Sequence, residues 1–242
     1  MGASPEIITL TMAAFSLGQF VAAPYWGRLS DSIGRKPVLI LTLLGSTLSY
    51  VILAYAPNLT VVILSRVLTG LMAGNVSIAF AYVADITDDS NRSAGLGKVS
   101  AALGLGFMTG PAIGGLLAGN NVENANYLLT ALAAAGINFL AMLAAIVFLK
   151  ESLDVKKRKP FEGFSKIITL ATFSPAKSVL PLVSCGLIFY AAMSMMESIF
   201  PLWANKIFSY GPSHIGGVFF MLGSLGVIIQ LGLIGRLTDL FG

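Results

Sequence analysis

An all-α membrane protein is the fold class this sequence predicts, and three observations predict it. Of the 242 residues, 56% are hydrophobic and 11% charged, whereas a soluble domain carries about 25% charged residues; mean hydropathy is +0.84. The apolar residues fall into runs of about 20, the length that crosses a bilayer core as an α-helix. Lysine and arginine, finally, concentrate in alternate loops, with Arg66 and Lys206 the exceptions, the pattern that fixes the orientation of membrane helices.

Seven segments qualify as spans: 7–26, 37–56, 59–84, 99–117, 127–149, 179–204 and 215–234. After the first come Arg28, Arg35 and Lys36, and after the third Arg92 and Lys98. The fifth is followed by Lys150, Lys156, Lys157, Arg158, Lys159, Lys166 and Lys177. The alternate loops, APNLT at 56–60 and AGNNVENAN at 118–126, carry no basic residue. The amino terminus is therefore expected outside, the carboxyl terminus inside and Asn58 in an exterior loop. Glycine and proline inside the spans fit this solvent, because neighbouring helices and local adjustments satisfy the backbone groups they free.

The net charge of +4 follows from that topology and calls for no nucleic-acid partner. The basic stretch 150–178 is the longest polar interruption. It reads either as a solvated linker or as a segment touching anionic lipid headgroups, each basic residue then contributing about 1 kcal/mol. It divides the chain into a first part, 1–149, and a second, 179–242. An internal repeat agrees: Ser16-Leu17-Gly18 followed by Gly27-Arg28-Leu29-Ser30-Asp31 recurs at one offset as Ser224-Leu225-Gly226 followed by Gly235-Arg236-Leu237-Thr238-Asp239. Parallel repeats of this kind mark the halves of transporters.

Enzyme chemistry has no support in the residues. Cys185 and His214 are single, so neither a disulfide framework nor a metal site can be assembled from them; His214, beside Gly211 and Pro212, reads as a loop residue. No nucleophile–base set or phosphate loop is present, and no cofactor is expected. The polar residues within the spans carry the chemistry instead. GRLSDSIGRKP, 27–37, reads as a short loop between two spans, with Asp31, Arg35 and Lys36 at a helix end. Asp85 closes the third span on the same face, so that Asp31, Arg35 and Asp85 can form a charged latch with exchangeable partners. Arg66 lies several residues inside its span, where an arginine costs about 2.5–3.5 kcal/mol unless it faces a cavity or partner; nearer the interface it would snorkel. Glu197 is the acidic residue deepest within a span and a candidate proton carrier, or else a carboxylate hydrogen-bonded near the outer end of its helix. Gln19, Asn75, Asn138 and Gln230 are the candidates for a substrate cavity, with interhelical hydrogen bonding as the equal alternative, and Phe15, Phe107 and Tyr190 for its apolar lining. Gly106, Gly110 and Gly114 recur every four residues on one helix face, which permits close helix packing.

Three of these stretches resemble the signatures of one family. GRLSDSIGRK, from Gly27 through Gly34 to Lys36, is similar to the cytoplasmic motif between helices 2 and 3 of major facilitator superfamily transporters. Ser65-Arg66-Val67-Leu68-Thr69-Gly70 with Gly74 resembles their helix 4 arginine motif. Gly106-Phe107-Met108-Thr109-Gly110-Pro111-Ala112-Ile113-Gly114-Gly115 resembles the helix 5 motif of drug/proton antiporters, and the stretch from Ala81 through the LKES at 149–152 looks closest to the tetracycline/proton branch. The resemblance implies a helical bundle with a small-molecule substrate and protons as partners, in a plasma membrane or a bacterial inner membrane. It implies a gating role for Gly106, Gly110, Pro111, Gly114 and Gly115, and proton coupling at Arg66. By the same alignment the seven spans match family helices 2 to 8, so the bundle is incomplete, and helices 1 and 9–12 are expected from a longer parent. The competing readings are a facilitator for sugars or metabolites and a truncated membrane scaffold that does not transport.

Overall fold

The computed structural model describes residues 5–161 and 180–229. Within them the chain forms eight α-helices: α1 Pro5–Ile33, α2 Arg35–Ala54, α3 Leu59–Leu71, α4 Asn75–Ile86, α5 Arg92–Ala118, α6 Tyr127–Phe148, α7 Leu180–Phe208 and α8 Pro212–Ile229, with a 3-10 turn at Val155–Lys157. Five stretches of the described residues are long and apolar enough to span a bilayer: Arg35–Ala54, Leu59–Ile86, Arg92–Ala118, Tyr127–Phe148 and Ser184–Phe208. α1 has the length, 29 residues, but threonines, Gln19 and the charged Arg28 and Asp31 dilute its apolar character. Large side chains turn outward throughout, with Phe20 79% and Phe148 80% exposed, as befits a protein whose outer solvent is lipid.

The chain divides into two compact units, one from the described parts of Met1–Ile86 and Ala131–Trp203, the other from those of Thr87–Thr130 and Ala204–Gly242. In the first unit α1 packs against α2 and α3, and α2 also against α4. Glycines set the distances: a Cβ on Gly70 would run into the Phe15 carbonyl, and one on Gly18 would lie 3.0 Å from the Val67 carbonyl oxygen, so α1 and α3 meet backbone to backbone. One buried cluster joins Ala22, Trp26, Val38 and Ile78, and a second joins Leu43, Met142 and Ala145. The buried hydroxyls of Thr47 and Thr69 donate to carbonyls four residues back in their own helices, which is how a polar side chain is satisfied where water is absent.

Three sequence expectations change here. The third span is not one helix: it breaks at 72–74 into α3 and α4. Trp26 occupies the break, its indole N–H donating to the Leu71 carbonyl at 2.5 Å while Gly74 leaves room for the ring. The stretch 27–37 is not a loop either. α1 continues through Gly27 and Asp31 to Ile33, α2 starts at Arg35, and Gly34 alone joins them, with φ 116° and ψ 157°, a conformation that belongs essentially to glycine. His214, expected in a loop, sits in the first turn of α8 with its ring stacked on Tyr210 at 5.3 Å.

The second unit is built on α5 and α8, its most extensive helix pairing. A Cβ on Gly115 would strike the Pro212 carbonyl, one on Gly216 the Pro111 carbonyl, one on Gly211 the Asn120 carbonyl, and one on Gly223 the Met108 side chain. The Ser224 hydroxyl lies 3.2 Å from the Met108 sulfur. The seam therefore runs through Met108, Pro111, Gly115 and Asn120, whereas Gly106 and Gly110 have open space where a Cβ would stand and Gly114 meets only Thr130, at 3.7 Å.

Candidate functional site

At the junction of α1 and α2 the backbone chemistry comes first. The opening N–H groups of a helix lack intrahelical acceptors, and Gly34 offers α2 no side-chain cap. Each N–H is nevertheless accounted for. Gly34 N–H donates to the Ser30 carbonyl at 3.2 Å. Arg35 and Lys36 donate to the two oxygens of Glu151, at 2.8 and 3.2 Å, and Pro37 has no N–H to satisfy. A carboxylate at this position also meets the positive end of the α2 dipole.

Over this capped end lies the Arg35 side chain, 10% exposed. Its Nη1 is 2.6 Å from the Asp31 carboxylate and its Nε 3.0 Å from that of Asp85; Nη1 also donates to the Ser30 hydroxyl at 2.6 Å. One guanidinium thus ties α1, α2 and α4 together. Burial of the two acids is uneven, Asp31 being 39% exposed and Asp85 23%, so solvent screens the pair with Asp31 more. The Ser152 hydroxyl donates to the same Asp85 oxygen at 3.2 Å, and Lys36 Nζ donates to the Ile146 carbonyl at the end of α6 at 2.8 Å. The cluster joins the ends of α1, α2 and α4.

The other candidates lie apart from it. Arg66 is half-buried, eight residues into α3, with no acidic partner among the described residues. Glu197 is half-buried within α7. Gln19 is half-buried on α1; the Asn75 side chain accepts from the Val76 N–H at 3.0 Å, and Asn138 donates to the Ala134 carbonyl at 3.0 Å. Asn75 and Asn138 thus each make one of their possible side-chain hydrogen bonds within their own helix. Phe107 and Tyr190 are exposed, Phe15 half-buried. Gln230 and the second copy of the junction motif at 235–242 lie outside the described residues. Among the described residues no group of His, Cys, Asp or Glu side chains is arranged to hold a metal.

Sequence reasoning passed over Glu151, Ser152 and Ser30. The signal for Glu151 is the LKES at the end of the fifth span, whose pattern carries the family resemblance but not the distant helix terminus that the carboxylate caps.

The family model of the Major Facilitator Superfamily matches residues 1–242. The chain belongs to that superfamily. Multidrug resistance protein 2 of Bacillus subtilis is 31% identical over 236 residues, covering 96% of this chain and 58% of its own length. The class C tetracycline resistance protein of Escherichia coli is 31% identical over 232 residues, with 96% of this chain and 57% of its own length covered. Among solved structures, the human organic anion transporter MFSD10 (TETRAN) superposes with a TM-score of 0.70 at 29% identity, over 93% of this chain and 55% of that one. The chain thus spans less than three fifths of the relatives it matches. As a superfamily member with apolar spanning helices, it is an integral membrane protein.

Proposed function

We propose that this chain is part of a proton-coupled antiporter that exports small amphipathic molecules, of the kind that tetracyclines represent, across a plasma membrane or a bacterial inner membrane. One observation carries the reading: Arg35 bridges carboxylates on two other helices while itself standing on a third. A transporter needs helix ends that are held together in one state and released in another, and a shared guanidinium with a partly screened partner supplies a bistable contact of modest strength. The α5–α8 seam supports antiport in particular, because closely packed backbones leave little room for water between two helices. The names of the relatives, multidrug and tetracycline resistance proteins and an organic anion transporter, favour an amphipathic cargo over a sugar.

In this reading Arg66 and Glu197 handle the proton and the Asp31–Arg35–Asp85 cluster, with Gly34 and Lys36, gates the change of state. Gly106 and Gly110, open here, would serve with Gly114 as a packing face in another state. Gln19, Asn75, Asn138 and Gln230 would offer hydrogen bonds to the cargo, and the remaining helices of a longer parent would complete the cavity. The test uses inverted membrane vesicles carrying the longest reading frame that contains this chain. Adding tetracycline to energised vesicles should release protons, and Arg66→Ala should abolish that release while the protein still inserts. Tetracycline movement without proton release would replace the antiporter by a facilitator, and neither movement would leave a scaffold.

A further inference from the structure

The residues that follow α6 fold back over the junction and touch Arg35, Lys36, Asp85 and Asp31. Glu151 accepts from the Arg35, Lys36 and Leu153 N–H groups. Ser152 donates to Asp85. Lys159 N–H donates to the Asp31 carbonyl at 3.0 Å, and the Phe161 ring meets Tyr25 edge-on at 5.5 Å. Between these contacts Asp154 caps the short turn at Val155–Lys157 by accepting from Lys156 N–H at 3.0 Å, which keeps the segment compact. Gly34 completes the fit, since any Cβ there would run into the Glu151 carboxylate.

We propose that residues 150–161 form a strap over the latch, and that Glu151 is the positioning residue through which the strap sets the state of Arg35. The argument is one of connectivity. Asp31 and Arg35 stand on helices joined by Gly34 alone, so any shift of the start of α2 relative to α1 or α4 carries the guanidinium away from its partners. Glu151 holds that start by two charge-assisted hydrogen bonds at the positive end of the helix dipole. Ser152 and Lys159 tie the same segment to the helices that carry Asp85 and Asp31. Release of the strap therefore removes the acceptors of the first α2 N–H groups and loosens both acidic partners together. The latch and the linker then move as one unit.

The consequence for transport rests on the antiporter reading, but the decisive measurement does not: hydrogen–deuterium exchange on the full chain in lipid nanodiscs. Glu151→Ala should speed exchange roughly tenfold at Arg35 and Lys36 and also at Lys159, eight residues from the substitution, while residues 42–49 of α2 stay unchanged. Glu151→Gln, which keeps one acceptor oxygen, should fall between. Phe161→Ala frees the far end without touching the cap and should speed exchange at Lys159 and, less, at Arg35. Faster exchange at Arg35 and Lys36 with Lys159 unchanged in Glu151→Ala would reduce Glu151 to a helix cap and overturn the strap, as would an unaltered Arg35 in Phe161→Ala. In the vesicle assay Glu151→Ala and Asp85→Asn should change the rate of tetracycline-driven proton release non-additively; additive effects would overturn the coupling. A protein without any such proton release would refute the antiporter and leave the exchange result to decide the strap.

Discussion

Arg35 earns its place by geometry more than by charge. Its Nη1 and Nε point to different carboxylates while Nη1 also reaches Ser30, a fan that a lysine ammonium on a flexible stem cannot reproduce. Arg35→Lys is therefore expected to lose at least one charge-assisted hydrogen bond, about 1.5–3 kcal/mol. Part of that is offset because Asp31 is exposed enough to be solvated. The measurement is thermal unfolding in detergent, where the cost should shrink as salt rises; a fully retained unfolding temperature would refute the bridging role. Gly34 and Gly27 make a paired test, since both belong to the same sequence motif and only one is constrained. Gly34→Ala forces a side chain into a glycine-only conformation and into Glu151, and should destabilise by about 1–3 kcal/mol. Gly27→Ala meets no atom within 4 Å inside the last third of α1 and should be neutral, or stabilising by up to about 1 kcal/mol through helix propensity.

At the scale of elements, the α5–α8 seam separates two sets of glycines that look alike in sequence. Gly115 and Gly216 each face a carbonyl of the opposing helix, whereas Gly106 and Gly110 face open space. Gly115→Leu and Gly216→Leu should push α5 from α8 and destabilise by about 1–3 kcal/mol or more. Gly106→Ala and Gly110→Ala should leave unfolding unchanged or raise its midpoint. Should the second pair also impair drug export in the longer parent, the open face acts in another conformation, which an unfolding measurement and a flux measurement together distinguish. These elements also show what the sequence could yield. Spacing every four residues puts Gly106, Gly110 and Gly114 on one face, but it cannot say which face meets a neighbour, because apolar residues surround α5 on all sides. For the same reason the break at 72–74 was hidden: hydropathy continues across it, and only Trp26, 45 residues away, supplies the partner for the freed carbonyl. The charged residues were easier to read, since Asp31, Arg35 and Asp85 stand out in an apolar chain. Glu151 did not, because a carboxylate in a polar linker looks solvated until the α2 terminus is seen beside it.

For the whole molecule, the junction shows which charged residues share one side, and the basic residues then give that side its expected orientation. Asp31, Asp85 and Glu151 all converge on the start of α2. Between Asp31 and Asp85 the chain crosses out along α2 and back along α3 and α4; between Asp85 and Glu151 it crosses out along α5 and back along α6. Three points that meet at the start of α2 lie on one side of any bilayer these helices cross, and Arg28 and Lys36 stand on that side with them. By the positive-inside rule this side is predicted to face the cytoplasm. With Cys185 replaced by serine, single cysteines introduced at Asn58 and Asn121 should react with a membrane-impermeant maleimide added to intact cells. Cysteines at Asp89 and Lys156 should react only after permeabilisation. Labelling of 58 and 156 from the same side would break the two-crossing count and with it the pairing of α3 and α4 as one span. Labelling that is alternate but reversed would keep the fold and overturn the orientation, moving the latch and its strap to the outer face, where they could not couple to proton entry in the proposed sense.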